Sequence, residues 1–488
     1  MKYIVSLDVG TSSVRTLIFS PEAQIKGIFQ IELKSSYPKI GWVEQDPQEL
    51  WEKSQEVVRQ AGEFCQKNNL AIGGLAITNQ RETIIAWSKK TGQAIYQAIG
   101  WQDRRTAEEC QKLVKRGFED KIYRRTGLCL DPYFSASKIK WIITNVPQAK
   151  KLIRKNDLLV GTVDTWMIWN FTKGQQHVTD VSNASRTMLF NINSLVWDND
   201  LLKIFRIPQN ILPTVKASFS VNQNFGLTTI LDEKIPILAV CGDQTSALYG
   251  EQCFKKGQTK ITYGTGGFVV VNAGEKIKLN NPKIITTIAW QINKTIVYAL
   301  EGSIFQSGGS LKWLRDNLGL FKDYTEANLL SEQTQDSKNV YFVPALTGLG
   351  SPHWLPQVQG LIRGLTNQTT AGHLVNAAVE SAAFQVDDIL ETIKKNYKIK
   401  IKSVKVDGGL TKNKHLLDFQ AGISRVRVFK SVNSEMTGWG VASLAGQSLK
   451  WPLVPLLLES ETKFQMSSQQ RKEKKTGWKK NIGIVLNN

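Results

Sequence analysis

Two short stretches of this sequence share one design and lie about half the chain apart. Tyr3–Leu7 is an apolar run that enters the small-residue turn Asp8-Val9-Gly10-Thr11-Ser12-Ser13 and leaves through Val14–Phe19, closed by Pro21. Lys260–Thr262 enters Tyr263-Gly264-Thr265-Gly266-Gly267 and leaves through Phe268–Asn272. Apolar runs broken by glycine and hydroxyl residues read as strand, turn, strand. The same unit met twice at this separation predicts two halves of related architecture. A third strand and turn, Lys402–Val406 followed by Asp407-Gly408-Gly409, falls in the second half, and the alternation over Lys398–Lys402 predicts an edge strand. We therefore expect a first domain over 1–250, a second over 251–446 and a basic C-terminal tail over 447–488.

Long amphipathic patterns lie between these units. Pro47–Glu63 follows Asp46, a candidate N-cap, and Gly372–Lys395 carries Val375, Ala378, Val379, Ala382 and Ile389 on one face. Strands alternating with long helices predict an α/β fold, and 488 residues are too many for one ordinary core. The net charge of +20 raises the question of nucleic acid. The basic residues are spread along the chain, with one local excess over 471–480, which predicts a solvated tail and no nucleic-acid partner. Five cysteines without a C-x-x-C pair predict a reducing compartment without zinc or disulfides. The opening apolar run is short and interrupted by Asp8, and no run suits a membrane span, so a cytoplasmic location without membrane insertion is expected.

Glycine lets a turn approach a phosphate closely and aim several backbone N–H groups at it. In the first turn Thr11, Ser12 and Ser13 add hydroxyl donors, and Arg15 stands two residues beyond. No G-x-x-x-x-G-K-[ST] loop, protein-kinase signature or G-x-G-x-x-G is present, so a nucleotide would be held by paired hairpins. Three polar clusters follow strand-like runs. Arg81-Glu82 suits a ligand with several hydroxyls or is a surface ion pair. Trp101-Gln102-Asp103-Arg104-Arg105 belongs to the same polar-ligand cluster or is a helix start. Asp243 is a strand-end acid placed for chemistry or the N-cap of a following helix.

Several strings together give these residues a family. Leu7–Arg15, Ile77–Thr83, Asp131-Pro132-Tyr133-Phe134-Ser135 with Lys138–Trp141, Gly161–Trp166, Asn183–Phe190 and Gly360–Glu380 resemble, in order, the motifs of the FGGY family of carbohydrate kinases. The resemblance implies two actin-like (ribonuclease H-like) domains with a nucleotide and substrate cleft between them. It implies transfer of the ATP γ-phosphate to glycerol, giving sn-glycerol 3-phosphate and ADP, with Asp243 as general base. Arg81, Glu82, Tyr133, Asp243 and Gln244 would meet the glycerol hydroxyls, and Trp101 and Phe268 its carbon backbone. Thr11, Ser12, Ser13, Arg15, Thr265, Gly308, Lys312, Gly409 and Asn413 would hold the nucleotide, and Asp8 would place Mg²⁺ through water. A homo-oligomer, dimer or tetramer, is implied as well. The chain departs from the family pattern at Lys312, where glutamine is usual, and at Leu355, Gln359 and Trp439. These departures keep two alternatives in view: a kinase for another small polyol or sugar, and a catalytically impaired nucleotide-binding relative.

Overall fold

The computed structural model describes residues 1–334, 336–355, 357–432 and 435–487. The opening apolar run forms β1 (Lys2–Val9), buried from Ile4 onward, and the turn after it leads to β2 (Ser13–Phe19) and then β3 (Ile25–Glu32). β3 alternates half-buried and exposed residues, as an edge strand must when only one face meets a core. Helix α1 (Pro47–Lys67) starts where the sequence predicts, with the Asp46 side chain accepting from the Gln48 N–H and proline in the first turn. It continues one turn past the predicted end. Two further strands, β4 (Ala71–Asn79) and β5 (Glu233–Gly242), run parallel beside β1, and helix α2 (Asp243–Gly250) leaves from the end of β5.

The second half repeats this plan. Its strands are β6 (Thr259–Tyr263), β7 (Gly267–Gly274), β8 (Ile285–Ile292) and β9 (Thr295–Ile304). After helices α3 (Gly308–Asp316) and α4 (Ala371–Tyr397) come β10 (Ser403–Asp407), α5 (Lys414–Ser424), β11 (Arg427–Ser431) and α6 (Met436–Gly446). In the first sheet the order β3-β2-β1-β4-β5 has two antiparallel pairs followed by two parallel ones. In the second, β9-β7-β6-β10-β11 has the same order and the same directions. Two such sheets, each flanked by helices, are the two actin-like (ribonuclease H-like) domains expected.

The domains meet where α2 and α6 cross. Contact there is close because it is made through glycine. A Cβ on Gly250 would stand 2.2 Å from the Met436 carbonyl oxygen, and one on Gly440 would stand 1.8 Å from that of Ser246. Trp439 is buried in the same region, tilted against Phe19 at 5.4 Å and stacked on Trp451 at 6.3 Å. This departure from the family pattern therefore fills the junction between the domains and does not line the cleft.

Two expectations are corrected. Lys398–Lys402 is not an edge strand: Lys398 ends α4 in the left-handed region, Ile399 and Ile401 turn into the core, and β10 begins at Ser403 in the interior of the sheet. The basic C-terminal segment is not a solvated tail. It adds the strand β12 (Leu458–Thr462) to the edge of the second sheet and then forms helix α7 (Ser468–Asn487). Trp478, Ile482 and Val485 of α7 enter the core of the second domain, with Trp478 stacked on Phe384 at 4.9 Å. Lys474 and Lys475 pair with the buried carboxylates Glu380 (3.3 Å) and Asp387 (2.6 Å) on α4. Acids hidden on a neighbouring helix thus account for part of the lysine run.

Candidate active site

Register decides what the first sheet presents at its carboxyl edge. Val9 pairs with Asn79, and Asn79 pairs with Gly242, so β1, β4 and β5 end level with one another. The residues just beyond these three ends are Gly10–Ser13, Gln80-Arg81-Glu82 and Asp243. The carboxyl ends of parallel strands in an open α/β sheet are where ligands bind. The second sheet does the same, because Thr262 pairs with Asp407 and sets the Gly264–Gly267 turn beside Gly408-Gly409.

At the first turn the Gly10 carbonyl accepts from Gln80 Nε2 (3.0 Å) and that of Thr11 from Gln45 Nε2 (2.8 Å). The Thr11 hydroxyl accepts from Trp101 Nε1 (2.9 Å), which ties the phosphate-type turn to an aromatic wall of the pocket. Ser12 is exposed and Ser13 half-buried. Asp8 is buried at the end of β1 and takes Arg15 Nη2 at 3.0 Å. Arg15 also pairs with Glu435, which immediately precedes α6, at 2.8 Å. Burial pushes the Asp8 carboxyl up to about 6; Arg15 opposes this, while the Asp243 carboxylate adds to it.

Arg81 and Glu82 are not a surface ion pair, since each is only 2% exposed. Glu82 sits at φ +63°, and the Thr83 N–H donates across it to the Arg81 carbonyl (2.8 Å) in a tight three-residue turn. A glutamate in this region costs about 1–2 kcal/mol. The turn is braced from the helix Ser135–Asn145: the Ser135 hydroxyl (3.2 Å) and Lys138 Nζ (3.4 Å) both donate to the Glu82 carbonyl. Lys138 also donates to the Tyr133 carbonyl (2.8 Å), and burial brings its ammonium down to about 8. Arg81 donates both Nη groups to Glu301 on β9, at 2.8 and 3.0 Å. Its Nε lies 3.0 Å from the Asp243 carboxylate without hydrogen-bond alignment. Arg186 donates to Glu82 at 2.5 Å and to Glu301 at 3.0 Å. Burial raises the Glu82 carboxyl, and Arg186 and Arg81 only partly offset it.

Three aromatic rings close this polar floor. Trp101 stands edge-on to Tyr133 at 5.7 Å and to Phe268, from the second domain, at 6.3 Å. Asp243 is the first residue of α2, whose cap is Gly242, so the N-cap alternative does not hold. Gln244 accepts from the buried Lys260 of β6 at 2.9 Å. In the second domain the Gly264–Gly267 turn is knit to the start of α3: the Thr265 carbonyl accepts from Ser307 and Gly309 N–H, and the Gly264 carbonyl from Gly308 N–H. Thr265 is exposed there, and Gly308 admits no Cβ without meeting Gly264. Gly409 lies in a 3-10 turn, and Asn413 caps α5 while donating to Asn328. Lys312 is exposed and pairs with Asp316 on its own helix. Glu301, Arg186, Lys138 and Lys260 are site residues to which sequence reasoning gave no role. Lys138 and Arg186 lie within the strings that carry the family resemblance, whereas Glu301 and Lys260 show only a charge beside an apolar run.

A pocket floored by buried acids and guanidinium groups, walled by aromatic rings and faced by two glycine turns defines a phosphotransferase cleft. The chain belongs to the FGGY family of carbohydrate kinases: the model of its N-terminal domain matches residues 3–250, and that of its C-terminal domain residues 259–449. The chain is 43% identical over 491 residues to the glycerol kinase of Halothermothrix orenii, covering 99% of this chain and 98% of that one. It is 45% identical over 490 residues to the glycerol kinase of Borrelia duttonii, with the same coverages. Among solved structures it resembles Plasmodium falciparum glycerol kinase with ADP, with a TM-score of 0.92 and 35% identity over 100% of this chain and 98% of that one.

Proposed function

We propose that this chain transfers the γ-phosphate of ATP to glycerol, giving sn-glycerol 3-phosphate and ADP. The observation that carries this reading is the level ending of β1, β4 and β5, which sets a phosphate-type turn, Arg81-Glu82 and Asp243 along one edge. Asp243 accepts the proton of the attacking hydroxyl as its oxygen bonds to the γ-phosphorus. The bond from that phosphorus to the β–γ bridging oxygen breaks, and ADP departs with the electron pair. Arg81, Glu82 and Tyr133 hydrogen-bond the polyol hydroxyls, with Gln244 beside them, and Trp101 and Phe268 pack against its carbons. Thr11, Ser12, Ser13, Arg15, Thr265 and Gly308 hold the phosphates, and Gly409 and Asn413 face the nucleoside. For Arg15 this requires a partial exchange of Asp8 and Glu435 for phosphate oxygens. Lys312, paired with Asp316, serves as a charge at the rim.

Among the described residues no group of three or more histidine, cysteine or acidic side chains could hold a metal alone. This suits Mg²⁺, which takes one or two carboxylates and fills its remaining positions with water and substrate phosphates. Asp8 would place the ion through water, and the ion would neutralise phosphate charge. Self-association and a cytoplasmic location belong to the same proposal. No helix among the described residues is long and apolar enough to cross a membrane.

A larger sugar is the second reading; Trp101 touches Phe268 edge to face, with centroids 6.3 Å apart, and this contact closes that side of the pocket, which argues against a longer chain. The test is ADP release by the full-length chain with Mg-ATP and a panel of glycerol, erythritol, xylulose and gluconate. Glycerol is expected to give the highest kcat/KM. Release no greater than in buffer alone overturns the reading, and a higher value with a longer sugar replaces it.

A further inference from the structure

The floor of the pocket is one continuous chain of charges running Asp243, Arg81, Glu301, Arg186, Glu82. Glu301 and Arg186 are fully buried, and Arg81 and Glu82 nearly so. Buried charges each cost several kcal/mol unless their geometry and remaining hydrogen bonds are good. Glu301 meets that condition, because one of its oxygens takes Arg81 Nη1 and the other takes Arg81 Nη2 and Arg186 Nη2. It is also the only member of the chain from the second domain; Arg81 is 220 positions away in sequence.

This geometry has a consequence for the acceptor site. With both Nη groups on Glu301, Arg81 offers Asp243 only its Nε. A guanidinium released from Glu301 could swing its fork onto Asp243 and form the stronger bidentate pair, which would occupy the oxygens that must accept the substrate hydroxyl. Arg186 meets Glu301 through Nη2 alone and Glu82 through Nε, so Glu301 fixes the guanidinium that sets the rotamer of Glu82. We infer that Glu301 is the positioning residue of the acceptor site: it anchors Arg81 and Arg186 from the opposite domain, so that Asp243 and Glu82 keep lone pairs for the polyol beside the bonds they accept from Gln244 and Arg186. The geometry of polyol binding thus depends on contact with the second domain, although every proposed hydroxyl-binding residue lies in the first.

The inference rests on the reading of the chain as a glycerol phosphotransferase, and the experiment separates the two. The wild-type chain, Glu301→Gln and Glu301→Asp are compared for kcat, KM for glycerol, KM for ATP and the rise in melting temperature on adding glycerol. If wild type releases no glycerol-dependent ADP, the functional reading fails first. If wild type is active, Glu301→Gln is expected to raise KM for glycerol at least tenfold, to leave KM for ATP within twofold, and to abolish the glycerol-induced rise. Glu301→Asp keeps the charge but is one carbon too short to span both guanidinium groups. It is expected to raise KM for glycerol at least threefold, less than the neutral variant, and it gives the reading if Glu301→Gln does not fold. A purely structural role would lower stability and active fraction and leave KM for glycerol unchanged. KM for glycerol within twofold of wild type in a folded variant, or an equal rise in both KM values, overturns the inference.

Discussion

At the scale of single residues, Asp243 carries the sharpest expectation. Asp243→Asn keeps the size of the side chain and its place at the start of α2 but cannot take the hydroxyl proton. General-base removal of this kind costs about 10²–10⁴-fold, so kcat should fall by that order while KM for ATP stays within about twofold. Near-normal turnover would show that another group takes the proton. Asp164 offers a test of stability that does not involve the cleft. It is fully buried, accepts hydrogen bonds from the Thr162 and Thr179 hydroxyls, and is pushed up to about 7 by burial and then by Asp180. Its folded value lies above its unfolded one of 3.8, so the folded state holds the extra proton between about pH 4 and 7. Its contribution to stability is therefore complete below that window and is lost as pH rises through it. Asp164→Asn should remove this loss, stabilising the protein at pH 8 by about 2–4 kcal/mol and giving little gain at pH 4. Denaturant melts at the two pH values would show it; an equal gain at both would refute the account. The left-handed Glu82 and the buried Glu301 show why this scale is only partly legible. The string Ile77–Thr83 marks Arg81 and Glu82, but no local signal says that the glutamate between Leu300 and Gly302 faces two arginines from the other domain.

At the scale of elements, the C-terminal helix is the clearest case. α7 is polar along most of its length, and composition alone reads it as solvated. It folds onto the second domain because Trp478 stacks on Phe384 and donates from Nε1 to Asp388 (2.7 Å), while Lys474 and Lys475 meet acids on α4. Trp478→Ala should therefore cost about 3–5 kcal/mol, as large-to-small changes in a core do, although the residue lies in the most basic stretch of the chain. Urea denaturation would measure it, and a loss below about 1 kcal/mol would mean that α7 is only loosely attached. α1 was legible because its signals are local: Asp46, Pro47 and an amphipathic face. The Lys398–Lys402 alternation misled because period two does not require a sheet; the isoleucines instead enter the core as the chain leaves α4.

At the scale of the whole molecule, each domain packs a core of its own, and a further core lies between them. One cluster joins Ile4, Leu17 and Phe19 of the first sheet to Val270, Ala299 and Trp439 of the second half. The α2–α6 crossing and the Arg81–Glu301 pair tie the same junction. We expect a single thermal unfolding transition with coincident tryptophan fluorescence and far-UV circular dichroism. Chains cut to 1–250 and 251–488 should each fail to melt cooperatively. Two resolved transitions, or a cooperatively folding half, would show that the shared cluster contributes little.

By itself the sequence determined the strand–turn–strand repeats, the capped helices, the two-part α/β organisation and the positions that carry the family resemblance. All of these depend on residues within a few positions of one another: glycine in turns, period in strands and helices, a cap beside a proline. The tertiary structure decided which charges meet. The register of β1, β4 and β5 brought Arg81 to Asp243, and β9 brought Glu301 across 220 positions to meet it. The fold also turned the basic C-terminal segment into a packed helix. Pairings of this kind are not encoded locally, because a buried charge is stable only when a partner from a distant segment arrives in register with the right geometry.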